Sequence, residues 1–342
     1  MGRQRHKVGS RNRGSDAIKV CIVGPGAMGR LFAVLFANAG ADVVLVDYRP
    51  ERASKLTEEG LTIRGLREKE IKSPIRVLVT TNPSEYAPYD VIFVCVKAYS
   101  TRSVAEQLSI WVKDTLIVTL QNGMGNLETL LDYFPNELVV GGTTSCGANI
   151  PQDSPNTVIF AGCGETLIGS PLKKWQKDGS LETVLRLFRQ ANLPLRVTDN
   201  LYGELWGKLL INAAVNPICG LLRIRNGMLP KIPSAWKLAE LVLAEGVSVA
   251  KAEGIELPYP DAAAKVKSVC NATAQNRCST LQDVENGRRT EIDYINGYIC
   301  RTSEKHKIPT PYNLALTLLF DSLSADVSGK PRELSPFNCR FL

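Results

Sequence analysis

The amino-acid sequence predicts an α/β chain in two parts, an N-terminal doubly wound parallel sheet followed by an all-helical C-terminal domain. Three observations carry that prediction. Short apolar runs recur through the first half, which is how strands buried on both faces of a parallel sheet read. A glycine-rich turn stands between the first of these runs and an apolar helix. From Asp199 onward the apolar residues change to helical spacing.

Residues 18–23 form the first strand signal. Gly24, Pro25, Gly26, Ala27, Met28 and Gly29 follow at once, and an apolar helix runs over 30–39. This is G-x-G-x-x-G with a strand before it and a helix after it, so a Rossmann-type dinucleotide site is expected. Gly24 allows the tight turn and Gly26 the close approach of a pyrophosphate. Gly29 lets helix and strand pack, with phosphate charge resting on the helix N-terminus. The second strand, 42–47, ends in Asp47, 18 residues beyond Gly29, where an acid meets a ribose hydroxyl.

Shorter strand signals follow at 61–63 and 76–80. Residues 91–96 form a buried strand that runs into Lys97. After another helix, residues 116–120 form a strand that runs into Gln121 and Asn122. Lys97 and Asn122 thus sit just past the carboxyl ends of parallel strands, the edge where ligands lie in open α/β sheets. Further strands are expected at 138–141, 157–160, 166–168 and 195–197, with a connector at 175–177 and a helix at 181–190. Thr143 and Thr144, after a strand end, are within reach of a ligand.

Helices are expected over 201–222, 236–252, 262–274 and 292–306. A sheet domain, 18–198, therefore gives way near Asp199 to a helical domain, 199–342. The segment from Glu204 to Pro217 carries Lys208, Asn212 and Asn216 at i, i+4 and i+8. At about 100° per residue these three point into one sector. Lysine and amides are costly to bury unpaired, so the stripe faces either water or a ligand. Gln282 and Asp283 read as turn or cap residues. Glu291 opens the next helix, where the dipole favours an acid, and it has the charge to serve as counter-ion to Lys208.

Composition narrows the function. At 44% hydrophobic and 22% charged, the chain is that of an ordinary soluble globular protein, and no apolar run approaches the roughly 20 residues of a membrane span. Five basic residues and one acid in residues 1–17 hold +4 of the net +7, in a tail expected to be disordered. The remaining +3 is no footprint for nucleic acid. Nine cysteines form no C-x-x-C pair and no cluster of metal-ligand spacing, so no metal is expected. Their odd number, without a secretory signal, argues for a reducing cytoplasm. With only His6 and His306, histidine-based chemistry is disfavoured.

These motifs together are informative: the 24–29 turn, Val96-Lys97-Ala98, Asn122-Gly-Met-Gly125, and Trp206-Gly-Lys208 with Asn212, Asn216 and Pro217. To them are added Ser279-x-Leu-Gln-Asp283 and Thr290-Glu291-Ile-Asp-Tyr-Ile-Asn-Gly297. On these, from about residue 18 to about residue 317, the chain resembles the ketopantoate reductase family. The resemblance implies cofactor and substrate in a cleft between the two domains. It also implies reduction of 2-dehydropantoate to pantoate, a step in pantothenate and coenzyme A biosynthesis. By motif position Lys208 is the catalytic lysine and Glu291 the functional glutamate. Asn122, Asn212, Asn216 and Ser279 are the substrate contacts, and Lys97 lies near cofactor and substrate.

One departure bears on the cofactor. Family members commonly carry an arginine after the second strand to hold the 2′-phosphate of NADP, whereas here the strand ends in Asp47, which favours NADH. Arg49 and Arg52 stand close enough to serve a phosphate. Two other readings remain open at this stage: a reductase for another branched or aromatic 2-oxo acid, and a non-catalytic dinucleotide sensor. The oligomeric state is open too, a homodimer included.

Overall fold

The computed structural model describes residues 17–65, 74–172 and 179–324. The expectations for the basic tail, for the connector at 175–177 and for the C-terminal segment beyond residue 324 lie outside the described residues.

The sheet half contains β1 (Lys19–Val23), β2 (Asp42–Val46), β3 (Thr62–Gly65), β4 (Leu78–Thr80), β5 (Val91–Val94), β6 (Leu116–Thr119), β7 (Val139–Thr144), β8 (Gly147–Asn149), β9 (Thr157–Gly162), β10 (Thr166–Gly169) and β11 (Leu195–Val197). Its helices are α1 (Ala27–Asn38), α2 (Pro50–Glu59), α3 (Thr101–Ser109), α4 (Asn126–Leu131) and α5 (Gly179–Gln190). One sheet runs β11-β10-β7-β6-β5-β1-β2-β4, and a small second one runs β3-β9-β8. Every pairing in the large sheet is parallel except β7 with β10.

All residues of β5 and β6 are buried, as the unbroken apolar runs require of central strands. On one face, Phe32 and Phe36 of α1, Phe93 of β5 and Phe188 of α5 cluster with centroids 5.4–6.2 Å apart. From β1 the chain first winds outward through β2 and β4, then crosses to β5 on the other side. The crevice at that reversal, between the carboxyl ends of β1 and β5, is where such sheets bind ligands.

The helical half contains α6 (Leu201–Leu222), α7 (Pro233–Ala252), α8 (Ala262–Ala272), α9 (Ser279–Glu285), α10 (Asn296–His306) and α11 (Pro311–Ser324). Asn200 starts α6, its side-chain oxygen accepting from the Gly203 N–H at 3.1 Å. Pro217 lies inside α6 and offers no N–H to the Ala213 carbonyl four residues back. Asn296 Nδ2 donates to that carbonyl at 3.2 Å, and the helix runs on to Leu222. Contrary to the sequence expectation, α6 is long and apolar enough to cross a membrane by length and composition. Of its apolar window 72% is buried inside the protein, so the apolarity serves packing against the neighbouring helices.

Other departures have local causes. Gln282 and Asp283, expected in a turn, sit inside α9, whose seven residues are too few to show helical periodicity. The helix expected from residue 292 begins as a single 3-10 turn, Ile292–Tyr294, before α10. Cys146 and Cys163 form a disulfide, unlike the free thiols a reducing setting predicts. Seventeen residues of separation carry no spacing signal, and it is the antiparallel β8–β9 hairpin that brings the two together.

Candidate active site

The glycine turn has the shape its motif requires. Gly24 has φ +117°, and a Cβ there would stand 2.7 Å from the Val96 nitrogen. At Gly26 an added Cβ meets nothing within 4 Å, so this face is open. Gly26 starts α1 with no side-chain cap and no acid in the first turn. An uncapped helix N-terminus beside open space fits a pyrophosphate, so these residues suit a bound dinucleotide.

At the end of β2 the arrangement differs from expectation. Asp47 is fully buried and already engaged. One oxygen accepts from Arg52 Nη2 at 2.7 Å and from the Arg49 N–H at 3.0 Å, and the other accepts from Arg52 Nε. The Arg49 and Arg52 guanidiniums lie over the Tyr48 ring, 5.2 and 5.6 Å from its centroid. Arg30, one residue past the motif, is buried and donates to the Pro25 carbonyl at 2.7 Å and to the Pro155 carbonyl.

The carboxyl ends of β5, β6 and β7 form a row, and the helical half meets each of them. Lys97, after β5, pairs with Asp283 at 2.5 Å and with Glu291 at 3.3 Å. The Ala98 N–H donates to the other oxygen of Glu291 at 2.9 Å. After β6, the Met124 N–H donates to the Tyr294 carbonyl at 2.8 Å. At the end of β7, the Thr144 carbonyl accepts from Lys208 Nζ at 3.0 Å. The ammonium of α6 is therefore turned toward the sheet.

The expected Lys208–Glu291 ion pair is not formed. Glu291 stands before the 3-10 turn that rests on the strand ends, and this aims it at Lys97. Burial pulls the Lys208 ammonium down to about 8, and the charge of Glu291 opposes that shift. Burial pulls Lys97 down as well, but there Glu291 and Asp283 together outweigh it and the net shift is upward. Asp283 is braced from the other side by Arg288 Nε at 3.1 Å.

Asn122, Asn212 and Ser279 are half-buried and Asn216 is buried. Among the described residues none of these four side chains has a protein hydrogen-bond partner. None of their polar atoms is sealed away from solvent, so these groups are open to hydrogen-bond an incoming ligand. Cys278 Sγ donates to the Asn216 carbonyl at 3.5 Å, which sets Ser279 beside the amide stripe. Gln121 Nε2 donates to the Val96 carbonyl at 2.7 Å and to Thr101 Oγ1 at 2.9 Å, tying the exit of β6 to that of β5 just before Asn122.

Sequence reasoning missed the roles of three residues. Asp283 pairs with Lys97, and its i+4 spacing from Ser279 on one helix was the available signal. Thr144 acts through its carbonyl, while its hydroxyl bonds Thr166 at 2.9 Å, and no sequence signal distinguishes those roles. Arg30 shows itself only as a charge at the start of an apolar helix.

Comparison with known proteins is consistent along the chain. The family model described as Ketopantoate reductase PanE/ApbA matches residues 20–173, and Ketopantoate reductase PanE/ApbA C terminal matches residues 200–324. The 2-dehydropantoate 2-reductase of Archaeoglobus fulgidus is 37% identical over 298 residues, 87% of this chain and 95% of that protein. The crystal structure of a PanE/ApbA family ketopantoate reductase from Ralstonia eutropha JMP134 aligns with a TM-score of 0.80 at 28% identity, covering 90% of this chain and 98% of that one. D-mandelate dehydrogenase in ternary complex with NADH and anilino(oxo)acetate aligns with a TM-score of 0.83 at 26% identity, covering 92% and 100%.

Proposed function

The chain belongs to the ketopantoate reductase family, and on that premise we propose how its own residues carry the reduction of 2-dehydropantoate to pantoate. This is a step toward pantothenate and coenzyme A, and it uses a nicotinamide cofactor. The observation that carries the residue assignments is Lys208, held at the sheet edge on a carbonyl with unpartnered amides one and two turns along α6.

With its pKa near 8, Lys208 keeps its proton at neutral pH yet releases it readily. It donates that proton to the C2 oxygen of the oxo acid as negative charge develops there, and stabilises the charge meanwhile. Glu291 acts on Lys208 through space and on Lys97 by contact. Asn122, Asn212, Asn216 and Ser279 supply the donors and acceptors that orient the substrate carboxylate and C4 hydroxyl. The turn from Gly24 to Gly29, with Asp47, Lys97 and Asn122, holds the cofactor. A reduced nicotinamide bound there supplies the hydride.

Within this reading NADH is the preferred cofactor. The carboxylate of Asp47 suits a ribose 2′-hydroxyl and repels a 2′-phosphate, with Arg52 exchanging its place for the ribose. The division between sheet and helical domains is drawn near Asp199. A homodimer and a cytoplasmic setting belong to the same reading, the former supported by exposed Leu318, Leu319 and Leu323 on α11. Substrates among other branched or aromatic 2-oxo acids are not favoured, since the Archaeoglobus fulgidus relative, at 37% identity, carries the name 2-dehydropantoate 2-reductase.

The test is a spectrophotometric assay of 2-dehydropantoate with NADH and NADPH side by side, against 2-oxo acids lacking the C4 hydroxyl. Turnover is expected fastest with 2-dehydropantoate and NADH. Failure to oxidise either nucleotide would sink the assignment.

A further inference from the structure

We propose that Cys146 and Cys163 form a reversible thiol–disulfide site that clamps a hairpin spanning the cleft, and through it fixes the strand end on which Lys208 is held. Cys146 immediately precedes β8 and Cys163 immediately follows β9, so their bond closes the open end of the β8–β9 hairpin.

The hairpin and its flank reach the strand end that holds Lys208, the glycine turn and the helical half. Thr144, two residues before Cys146, gives Lys208 its carbonyl acceptor, and its hydroxyl accepts from the Cys146 N–H at 3.2 Å. At the tip, the Pro155 carbonyl accepts from Arg30, which also grips Pro25 of the glycine turn. Gln152 Nε2 donates to Asn286 Oδ1 of the helical half at 2.6 Å. At the foot, the backbone bonds alongside the disulfide are long, Ser145 N–H to the Glu165 carbonyl at 3.3 Å and Gly164 N–H to the Ser145 carbonyl at 3.4 Å. The covalent link is therefore the strongest tie there.

Both residues of this pair are half-buried; of the other described cysteines only Cys95 is, and the rest are buried. Burial pushes the Cys95 thiol up to about 12 and those of Cys270, Cys278 and Cys300 up to about 11, and it raises Cys21 and Cys219 as well. Thiols held protonated are poor partners in exchange, so a redox reagent meets Cys146–Cys163 first. In the cytoplasmic setting proposed above, a disulfide is of the transient, redox-sensing kind. The reductant is a dithiol. Its thiolate attacks one sulfur, the Cys146–Cys163 bond breaks, and both cysteines end as thiols while the dithiol closes into its own disulfide, two electrons and two protons having moved.

The kinetic consequence rests on Lys208 being the proton donor, whereas the thiol chemistry and the hairpin's attachment do not. The test takes the full-length protein purified without reductant and compares it before and after dithiothreitol in native buffer. Three quantities are measured: iodoacetamide labelling mapped by mass spectrometry, protease cleavage at 150–156, and kcat/KM for 2-dehydropantoate. Cys146 and Cys163 should be blocked before reduction and labelled after it, with cleavage at the hairpin tip rising. The value of kcat/KM should fall by about 5-fold or more and return on oxidation by oxidised glutathione. The double variant Cys146→Ser, Cys163→Ser should behave as the reduced enzyme whether or not dithiothreitol is present. Labelling that ignores reductant and oxidant, unchanged cleavage on reduction, or a double variant that still responds would each overturn the clamp. Reversible labelling and cleavage in a protein inert toward 2-dehydropantoate in both states would instead overturn the functional assignment and leave the clamp standing.

Discussion

Lys97, carried by the sheet, and Lys208, carried by α6, reach the same row of strand ends from opposite sides of the cleft. Lys97 is answered by two carboxylates from the helical half, and their charge overcomes burial and strengthens its hold on the proton. Lys208 is answered by a single carbonyl, burial prevails, and its proton is loosened to about 8. One lysine is built to stay charged and tie the halves together, the other to part with a proton. The difference lies in what faces each ammonium, because both belong to the same residue type at similar depth.

The sharpest way to break that contrast is Lys208→Ala, expected to lower kcat by about 10²–10⁴ while circular dichroism shows an intact fold. A variant keeping most of its turnover removes Lys208 from the chemistry. Lys97→Met should raise the KM for the cofactor and also lower stability, because Asp283 and Glu291, each at most 6% exposed in the side chain, lose their shared cation. Lys97 itself is a third exposed, so about 1–3 kcal/mol is expected, read from urea unfolding; an unchanged midpoint means the triad is ornamental.

A pH profile separates the two further. Reduction needs the Lys208 ammonium, so kcat/KM should fall about tenfold per pH unit above pH 8, while oxidation of pantoate, which needs the free amine, should rise through the same range. A flat profile between pH 7 and about 10 is incompatible with this donor. The stability signs are opposite as well. The folded-state pKa of Lys208 lies below its ordinary 10.5, so its charged form costs stability below pH 8 and that cost fades as pH rises from about 8 to 10.5. The folded-state pKa of Lys97 is raised, so its contribution is complete below 10.5 and fades as pH climbs through the higher folded value. The smallest effect follows: Lys208→Met, though inactive, should melt higher, by about 2–4 °C for each kcal/mol recovered. A lower melting temperature would show that the ammonium supports the fold.

The legible parts of this protein were those whose physics is local. Buried strands announce themselves as apolar runs, and the turn at 24–29 declares itself by where it falls between a strand and a helix. The stripe of Lys208, Asn212 and Asn216 was readable because helical geometry alone places three residues on one side. The partners of those residues were not readable. Glu291 meets Lys97 across 194 residues and Lys208 meets Thr144 across 64, separations at which nothing in the sequence biases one pairing over another. Asp47 is an intermediate case. Arg52 lies five residues on, brought round by a helix that starts at Pro50, so the pairing was in principle within reach of a local reading.

Pro217 leaves one carbonyl of α6 without its internal partner, and the Asn296 amide is seated in that gap. The same nitrogen donates to Asn313 Oδ1 at 3.0 Å, and Asn313 in turn donates to Glu245 at 2.7 Å. A helix faced with alanine and leucine has little to stop it creeping along its own axis past its neighbours. A missing ladder bond occurs at one place, so the side chain lodged there indexes α6 as a key indexes a shaft. Slip by a single residue would empty the notch and strand polar groups in the dry interior. The axial register of the donor and its amides is thus referenced to a defect in the backbone, and holds whether or not anything is bound.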